Sequence, residues 1–264
     1  MWEDRTALAD LSLSDRERVL DVGCGTGELT RVIADEIPGD ATVFGVDADT
    51  DLLGVARGTT GLPYLAGDAT RLPFPDDAVD LVVCQALLIN LPDPAAAVRE
   101  FARVSADLVA AVEPDNAAVD VDSTVGAEER LEREAREAYL AGVDTDVALG
   151  DRVGDLFEGA GIDVVSSRRY DHEKRIEPPY SETAMEDAAR KASGSGLADH
   201  REELLVSLSA PAYDDLRRRW RSMGRDVISG MQDREYERVE VVPFDVTVGR
   251  VGDANTEPSA GSRF

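Results

Sequence analysis

With 264 residues, 43% of them hydrophobic, the chain suits one generous domain or a core with an insertion, and its formal charge is −26. Its acids are spread through helices with apolar stripes, which excludes an acidic disordered tail as the source of the charge. The absence of a basic stripe argues against nucleic acid as a partner.

In chain order, Val19 to Val22 reads as a buried strand that runs into Gly23-Cys24-Gly25-Thr26-Gly27. A helix follows, with Leu29, Val32, Ile33 and Ile37 on one face. Glycines at alternate positions let the backbone approach a ligand, and the helix start offers unpaired N–H groups. Strand, glycine turn and helix in this order form a nucleotide-binding element of a doubly wound sheet. A second strand, Ala41 to Asp47, ends in an acid, and a helix over Thr50 to Arg57 leads to a third strand at Tyr64 to Ala66. After Gly67-Asp68-Ala69 and the turn Arg71 to Asp77, the fourth strand covers Val79 to Cys84.

Asp93-Pro94 supplies a helix cap and a first-turn proline, and Val98, Phe101 and Ala102 face inward behind it. Leu108 to Val112 is a fifth strand, Ile162 to Arg169 a sixth and Val241 to Val251 a closing seventh. Helices are expected over 128–141, 151–160 and, after Pro178-Pro179, over 181–232. The last of these carries Arg217, Arg218, Arg219, Arg221 and Arg225, either a solvated face beside carboxylates or a contact for an anionic substrate. Cys24, Cys84, His172 and His200 are dispersed, so neither a disulfide nor a metal site is expected. No run approaches the ~20 apolar residues of a membrane span.

The dinucleotide fingerprint Gly-x-Gly-x-x-Gly fails here, because its last position is Thr30 counted from Gly25 and Glu28 counted from Gly23. What stands is Asp-x-Gly-x-Gly-x-Gly from Asp21 to Gly27. With Asp47, Gly67-Asp68-Ala69, Leu72-Pro73-Phe74-Pro75-Asp76-Asp77 and Leu91-Pro92-Asp93-Pro94, the segment from Val19 to Val112 resembles the class I S-adenosylmethionine-dependent methyltransferases. Within them it is similar to the type 11, ubiquinone/menaquinone-biosynthesis-like group. The acid-rich surface resembles that of halophilic archaeal proteins, for which dense salt screens self-repulsion.

The resemblance implies an α/β, doubly wound, mostly parallel seven-stranded sheet of order 3-2-1-4-5-7-6 with a helical insertion before the last strand. The expected division is a Rossmann-like core over 1–177, a helical lid over 178–235, the closing strand over 236–251 and a flexible tail over 252–264. It implies S-adenosyl-L-methionine as cofactor and S-adenosyl-L-homocysteine as product. Asp47 would meet the ribose, Gly67, Asp68 and Ala69 the adenine, and Gly23, Gly25, Gly27 and Gln85 the methionine side, with Asp21, Cys24 and Ala48 also in the cofactor site. A charged acceptor suits ribose hydroxyls and would repel a 2′-phosphate.

Many relatives place a histidine where this chain has Ile89, so the catalytic base is open, with His172, Glu113 and Tyr139 as candidates. Acceptor contacts are expected from Trp2, Glu113, Asp115, Tyr139 and the insertion. The expected protein is cytoplasmic, a monomer or homodimer, methylating a small molecule without nucleic-acid or membrane partners. A nicotinamide-dependent oxidoreductase, a catalytically silent S-adenosylmethionine-binding protein and an RNA or protein methyltransferase remain as alternatives.

Overall fold

The computed structural model describes residues 5–252, so the expectations for Trp2 and for residues 253–264 lie outside the described residues. The first strand, β1 (Arg18–Val22), is buried on both faces by Val19, Leu20 and Val22. Helix α1 (Glu28–Glu36) buries Leu29, Val32 and Ile33, and it ends where Ile37 turns extended and donates its N–H to Ile33 O. Strand β2 (Thr42–Asp47) is followed by α2 (Thr50–Thr60), which Asp49 caps by accepting from the N–H groups of Asp51 and Leu52. Strands β3 (Tyr64–Ala66) and β4 (Val79–Gln85) lead to α3 (Pro94–Val104), capped by Asp93 through the Ala96 N–H. Next come β5 (Ser105–Pro114), β6 (Asp120–Ser123), α4 (Glu128–Leu140), α5 (Val153–Gly159) and β7 (Ile162–Ile176). The chain closes with α6 (Glu182–Ser193), α7 (Ser195–Asp199), α8 (Arg201–Ser207), α9 (Ala210–Asp233) and β8 (Arg238–Val251).

The strands form an eight-stranded sheet of order β3-β2-β1-β4-β5-β8-β6, with β7 pairing β8. Neighbours β1–β2, β1–β4, β2–β3 and β4–β5 are parallel, and β6–β8 is antiparallel. The doubly wound, mostly parallel architecture is as expected, with the closing strand β8 beside β5. The expected seven strands gain an eighth, β6, whose polar Asp120-Val121-Asp122-Ser123 carries no apolar run and is held by its register with Arg238 to Val241. That pairing also explains why β8 starts at Arg238 rather than at Val241. Strand β7 passes Arg169 to reach Ile176, since its charged residues lie on a largely exposed strand. The helical stretch 181–232 is four helices, interrupted at Gly194 in the left-handed region, at His200 and at the Ser209 cap.

Residue contacts divide the chain into two compact units: 5–113, 149–170 and 245–252 of the described residues, and 114–148 with 171–244. The first unit is centred on Leu20, Val82, Val98, Phe101, Val109 and Phe157. The second has its own core around Leu131, Leu204, Tyr213, Leu216, Met223 and Val227. Among the described residues no helix is long and apolar enough to cross a membrane.

The 54 carboxylates face only 28 Lys and Arg residues, so even complete pairing would leave a large surplus of negative charge. Screening of that self-repulsion is expected to raise the melting temperature by about 5 °C or more between 0.1 and 1 M KCl. Thermal melts followed by circular dichroism check this; a melting point that falls with salt would contradict it.

Candidate functional site

The turn after β1 is pinned by the tip of β2. The N–H groups of Gly23 and Cys24 both donate to Val46 O, at 2.7 and 3.1 Å, and the Gly27 N–H donates to Cys24 O at 2.8 Å. Gly25 and Gly27 hold φ of +52° and +81°, the left-handed region that glycine adopts without strain. They differ in surroundings. A side chain at Gly27 would collide with the Tyr64 hydroxyl, whereas one at Gly25 would meet nothing within 4 Å. Gly27 is small for packing; Gly25 is small beside open space.

Asp47 ends β2 half-buried. Its Oδ2 accepts from the Gly25 N–H at 2.8 Å and its Oδ1 from the Asp49 N–H at 2.8 Å. The Asp47 carbonyl accepts from the Gly67 N–H at 3.0 Å, which joins the β3 exit to the same tip. Asp68 is exposed there, and its Oδ1 accepts from both the N–H and the hydroxyl of Thr70 at 2.8 Å. Those Thr70 donors hold the Asp68 carboxyl below its usual range. Ala48 is exposed and Ala69 is buried. Gly25, Asp47 and Asp68 therefore stand at the carboxyl ends of β1, β2 and β3, beside the switch between β1 and β4 where open α/β sheets bind ligands. Both carboxylates keep lone pairs for ligand hydroxyl or amino donors.

Two further acids support the turn from inside. Asp21 is 1% exposed, and its Oδ2 accepts from the Thr30 hydroxyl at 2.6 Å. Burial pushes its carboxyl up to about 7 despite that hydrogen bond. Cys24 lies nearby, its thiol pushed up to about 12 by burial and then by the charges of Asp21 and Asp47. Glu113 is fully buried at the end of β5 and grips the loop after β4. Its Oε1 accepts from the N–H groups of Leu87 and Leu88 at 3.0 and 2.9 Å, and its Oε2 from that of Ile89 at 3.3 Å. Burial pushes this carboxyl up to about 7, against the pull of those N–H groups. In the same loop Ala86 holds φ of +49°, and the Leu87 side chain covers Gly23. Gln85, half-buried, is the last residue of β4.

The remaining candidates divide between the units. Tyr139 and His172 lie in the second unit and Glu113 in the first. Tyr139 meets His200 edge to face at 5.0 Å, and His172 meets Phe244 at 6.3 Å. Asp115 accepts from the Ala117 N–H and so holds a turn. Of the arginines on α9, Arg219 forks onto Glu134 at 2.6 and 2.7 Å and also reaches Asp215 at 2.7 Å. Arg217 donates to Gly194 O at 3.3 Å and Arg218 pairs with Asp215. Carboxylate pairing thus accounts for part of that cluster.

Sequence reasoning passed over Thr30, Tyr64 and Leu87 as site residues. Thr30 carried a readable signal, since it occupies the fingerprint position where a third glycine would stand. Tyr64 comes from β3 and Leu87 from the loop after β4, and no local pattern announced them. The turn Leu72 to Asp77 likewise proves to be clamped by α3: Glu100 accepts from the Leu72 N–H at 2.7 Å and Arg103 donates to Phe74 O at 2.9 Å. Asp80 accepts from the Glu17 N–H at 2.6 Å and fixes the start of β1. Cys24 and Cys84 are both free and buried. Among the described residues no group of three His, Cys, Asp or Glu is arranged to hold a metal.

Folded Asp21 keeps its proton up to about pH 7, while the unfolded chain releases it near its ordinary value of 3.8. The stability this proton contributes is full below that value and is lost as pH rises to about 7. Asp21→Asn keeps a neutral acceptor for Thr30. The variant is therefore expected to match the natural protein at pH 4 and to exceed it by about 4 kcal/mol at pH 8. Urea denaturation at fixed KCl checks this; a gap independent of pH would contradict it.

Residues 20–107 match the family described as a methyltransferase domain. A demethylmenaquinone methyltransferase from Lactiplantibacillus plantarum is 36% identical over 110 residues, covering 39% of this chain and 46% of that protein. One from Geobacillus stearothermophilus is 32% identical over 101 residues, covering 36% and 43%. The chain thus spans less than half the length of the curated relatives it matches. Among solved structures, a putative methyltransferase from Bacillus halodurans superposes with a TM-score of 0.56 at 16% identity, covering 96% of this chain and all of that one. A putative methyltransferase solved in complex with the Haloferax volcanii Trm112 activator gives 0.51 at 18% identity, covering 94% and 88%. These likenesses show the fold. With the glycine turn and the strand-end acids, the match identifies the segment 20–107 as a class I methyltransferase domain, whose cofactor is S-adenosyl-L-methionine.

Proposed function

We propose that the chain transfers a methyl group from S-adenosyl-L-methionine to a small organic acceptor, leaving S-adenosyl-L-homocysteine. The observation that carries this reading is the open space beside Gly25, whose own N–H is held by the Asp47 carboxylate at the switch point of the sheet. In this reading Asp47 and Ala48 receive the ribose, its hydroxyls donating to the free lone pairs of the carboxylate. Asp68 accepts from the adenine amino group, and the Ala69 N–H donates to a ring nitrogen. The turn Gly23-Cys24-Gly25-Thr26-Gly27 receives the methionine portion with bare backbone at Gly25, since Leu87 covers Gly23 and Tyr64 packs on Gly27, and Gln85 meets its polar end. Asp21 acts beneath the turn, through Thr30.

When bound, the cofactor supplies a methyl group already activated by the sulfonium. The chain's part is to hold the nucleophile in line and to exclude water, which can supply roughly 7–11 kcal/mol of the barrier. Glu113 is engaged by backbone N–H groups of the loop after β4, which takes it out of the candidates for a base. A small-molecule acceptor is supported by the curated relatives, which are named for demethylmenaquinone. The helical segment 178–235 is proposed as the part of the chain that selects the acceptor. The acidic surface is proposed to suit a salt-rich cytoplasm.

Calorimetry with S-adenosylhomocysteine and with NAD tests the assignment. Binding of the former alone is expected, and Asp47→Asn should weaken it about tenfold, because a charged acceptor is replaced by a neutral one. Binding of NAD alone would overturn it. Tight binding of S-adenosylhomocysteine without methyl transfer to any of a broad metabolite panel would reduce it to a binding protein.

A further inference from the structure

Only two lysines occur in the chain, Lys174 and Lys191, against 26 arginines, and both line one cavity. This cavity, of about 460 Å³, is built entirely from residues of the second unit, whereas the glycine turn belongs to the first. Its volume falls in the range of small-molecule sites. Ile176, Ala184 and Trp220 give it an apolar side, and Trp220 is half-buried.

Its charged side is a fixed network. Lys191 is paired with the fully buried Glu128, and its Nζ lies 2.6 Å from Glu132 Oε1. Arg238, with a side chain 8% exposed, donates to Glu132 Oε2 at 2.7 Å and to Glu240 Oε2 at 2.6 Å. The Tyr236 hydroxyl donates to Glu128 Oε2 at 3.0 Å. Burial pushes the Glu132 carboxyl up, and Lys191 and Arg238 more than reverse this, so it sits below its ordinary range. Glu132 and Glu240 are therefore occupied acceptors, which leaves Asp187 as the acid opposing further negative charge in the cavity.

Two cations keep donors. Lys174 Nζ stands 3.6 Å from Glu240 Oε1, an ion-pair distance that is too long for a hydrogen bond. Arg190 gives one nitrogen to Asp199 at 2.8 Å and retains its other N–H groups. Throughout the rest of the chain arginine serves as the cation. A compact ammonium differs from a guanidinium in being a point donor that leaves room beside it.

We infer that this cavity binds a small organic carboxylate with a flat apolar body. The carboxylate lies between Lys174 and Arg190, and the body lies against Trp220. The inference does not rest on the proposed methyl transfer.

The scarcity of lysine supplies the test. Protein grown with lysine labelled by ¹³C at the ε-carbon should give two side-chain signals, assigned with Lys174→Gln. At matched KCl, benzoate is expected to move both signals along a saturating curve, while its neutral isostere benzamide does not. Lys174→Gln, at a side chain 57% exposed, should raise the benzoate dissociation constant roughly fivefold without shifting the melting temperature. Trp220→Phe, which keeps an aromatic face, should bind benzoate and so guards against reading a folding defect as lost binding. Shifts that stay linear, equal shifts with benzamide, or an unchanged constant in Lys174→Gln would each overturn the inference.

Discussion

The carboxylate of Asp47 is the anchor on which the rest of the site depends. One oxygen holds the Gly25 N–H and the other the Asp49 N–H, while the carbonyl before it, Val46 O, takes the N–H groups of Gly23 and Cys24. Four backbone donors at the edge of a parallel sheet are thus satisfied by the last two residues of one neighbouring strand. Unsatisfied donors at such a place would be costly. The turn can therefore remain thin, with no side chain filling the space at Gly25. In the proposed reading, the same acid that shapes the turn also receives the ribose.

Beneath that edge the chain places two carboxyls where water does not reach. Asp21 supports the turn from below through Thr30, and Glu113 secures three successive N–H groups of the loop that follows β4. The second arrangement holds Ala86 in a conformation uncommon for a residue with a side chain and brings Leu87 onto Gly23. Strands β1, β2, β4 and β5 thereby each contribute a fastening to the same small region. Precision of that kind suits a reaction that needs alignment more than acid–base assistance.

Much of this was readable beforehand because it is local. The glycine turn, the acid at 47 and the segment Gly67-Asp68-Ala69 are contiguous patterns with a strand before each, and their placement follows from strand order alone. Strands alternating with helices gave a parallel sheet, and the order β3-β2-β1-β4-β5 was what the family resemblance implied. What escaped was long-range. Strand β6 exists because Arg238 to Val241 lies alongside it, and nothing within Asp120 to Ser123 favours extension by itself. Glu113 reads in sequence as a free acid after a strand, and only the fold reveals that its oxygens are occupied. Tyr64 looked like an ordinary strand residue until Gly27 and Gly45 were seen to make room for its ring.

The most direct trial of the central claim is to place a methyl group at position 25. Because a Cβ there meets no other atom within 4 Å, Gly25→Ala should cost only the strain of its positive φ, about 1 kcal/mol, and leave the fold intact. The account predicts that this variant melts within a few degrees of the natural protein yet binds S-adenosylhomocysteine more than about tenfold more weakly. An unchanged dissociation constant in a folded Gly25→Ala protein would show that the bare backbone at the tip of β1 is not where the cofactor lies.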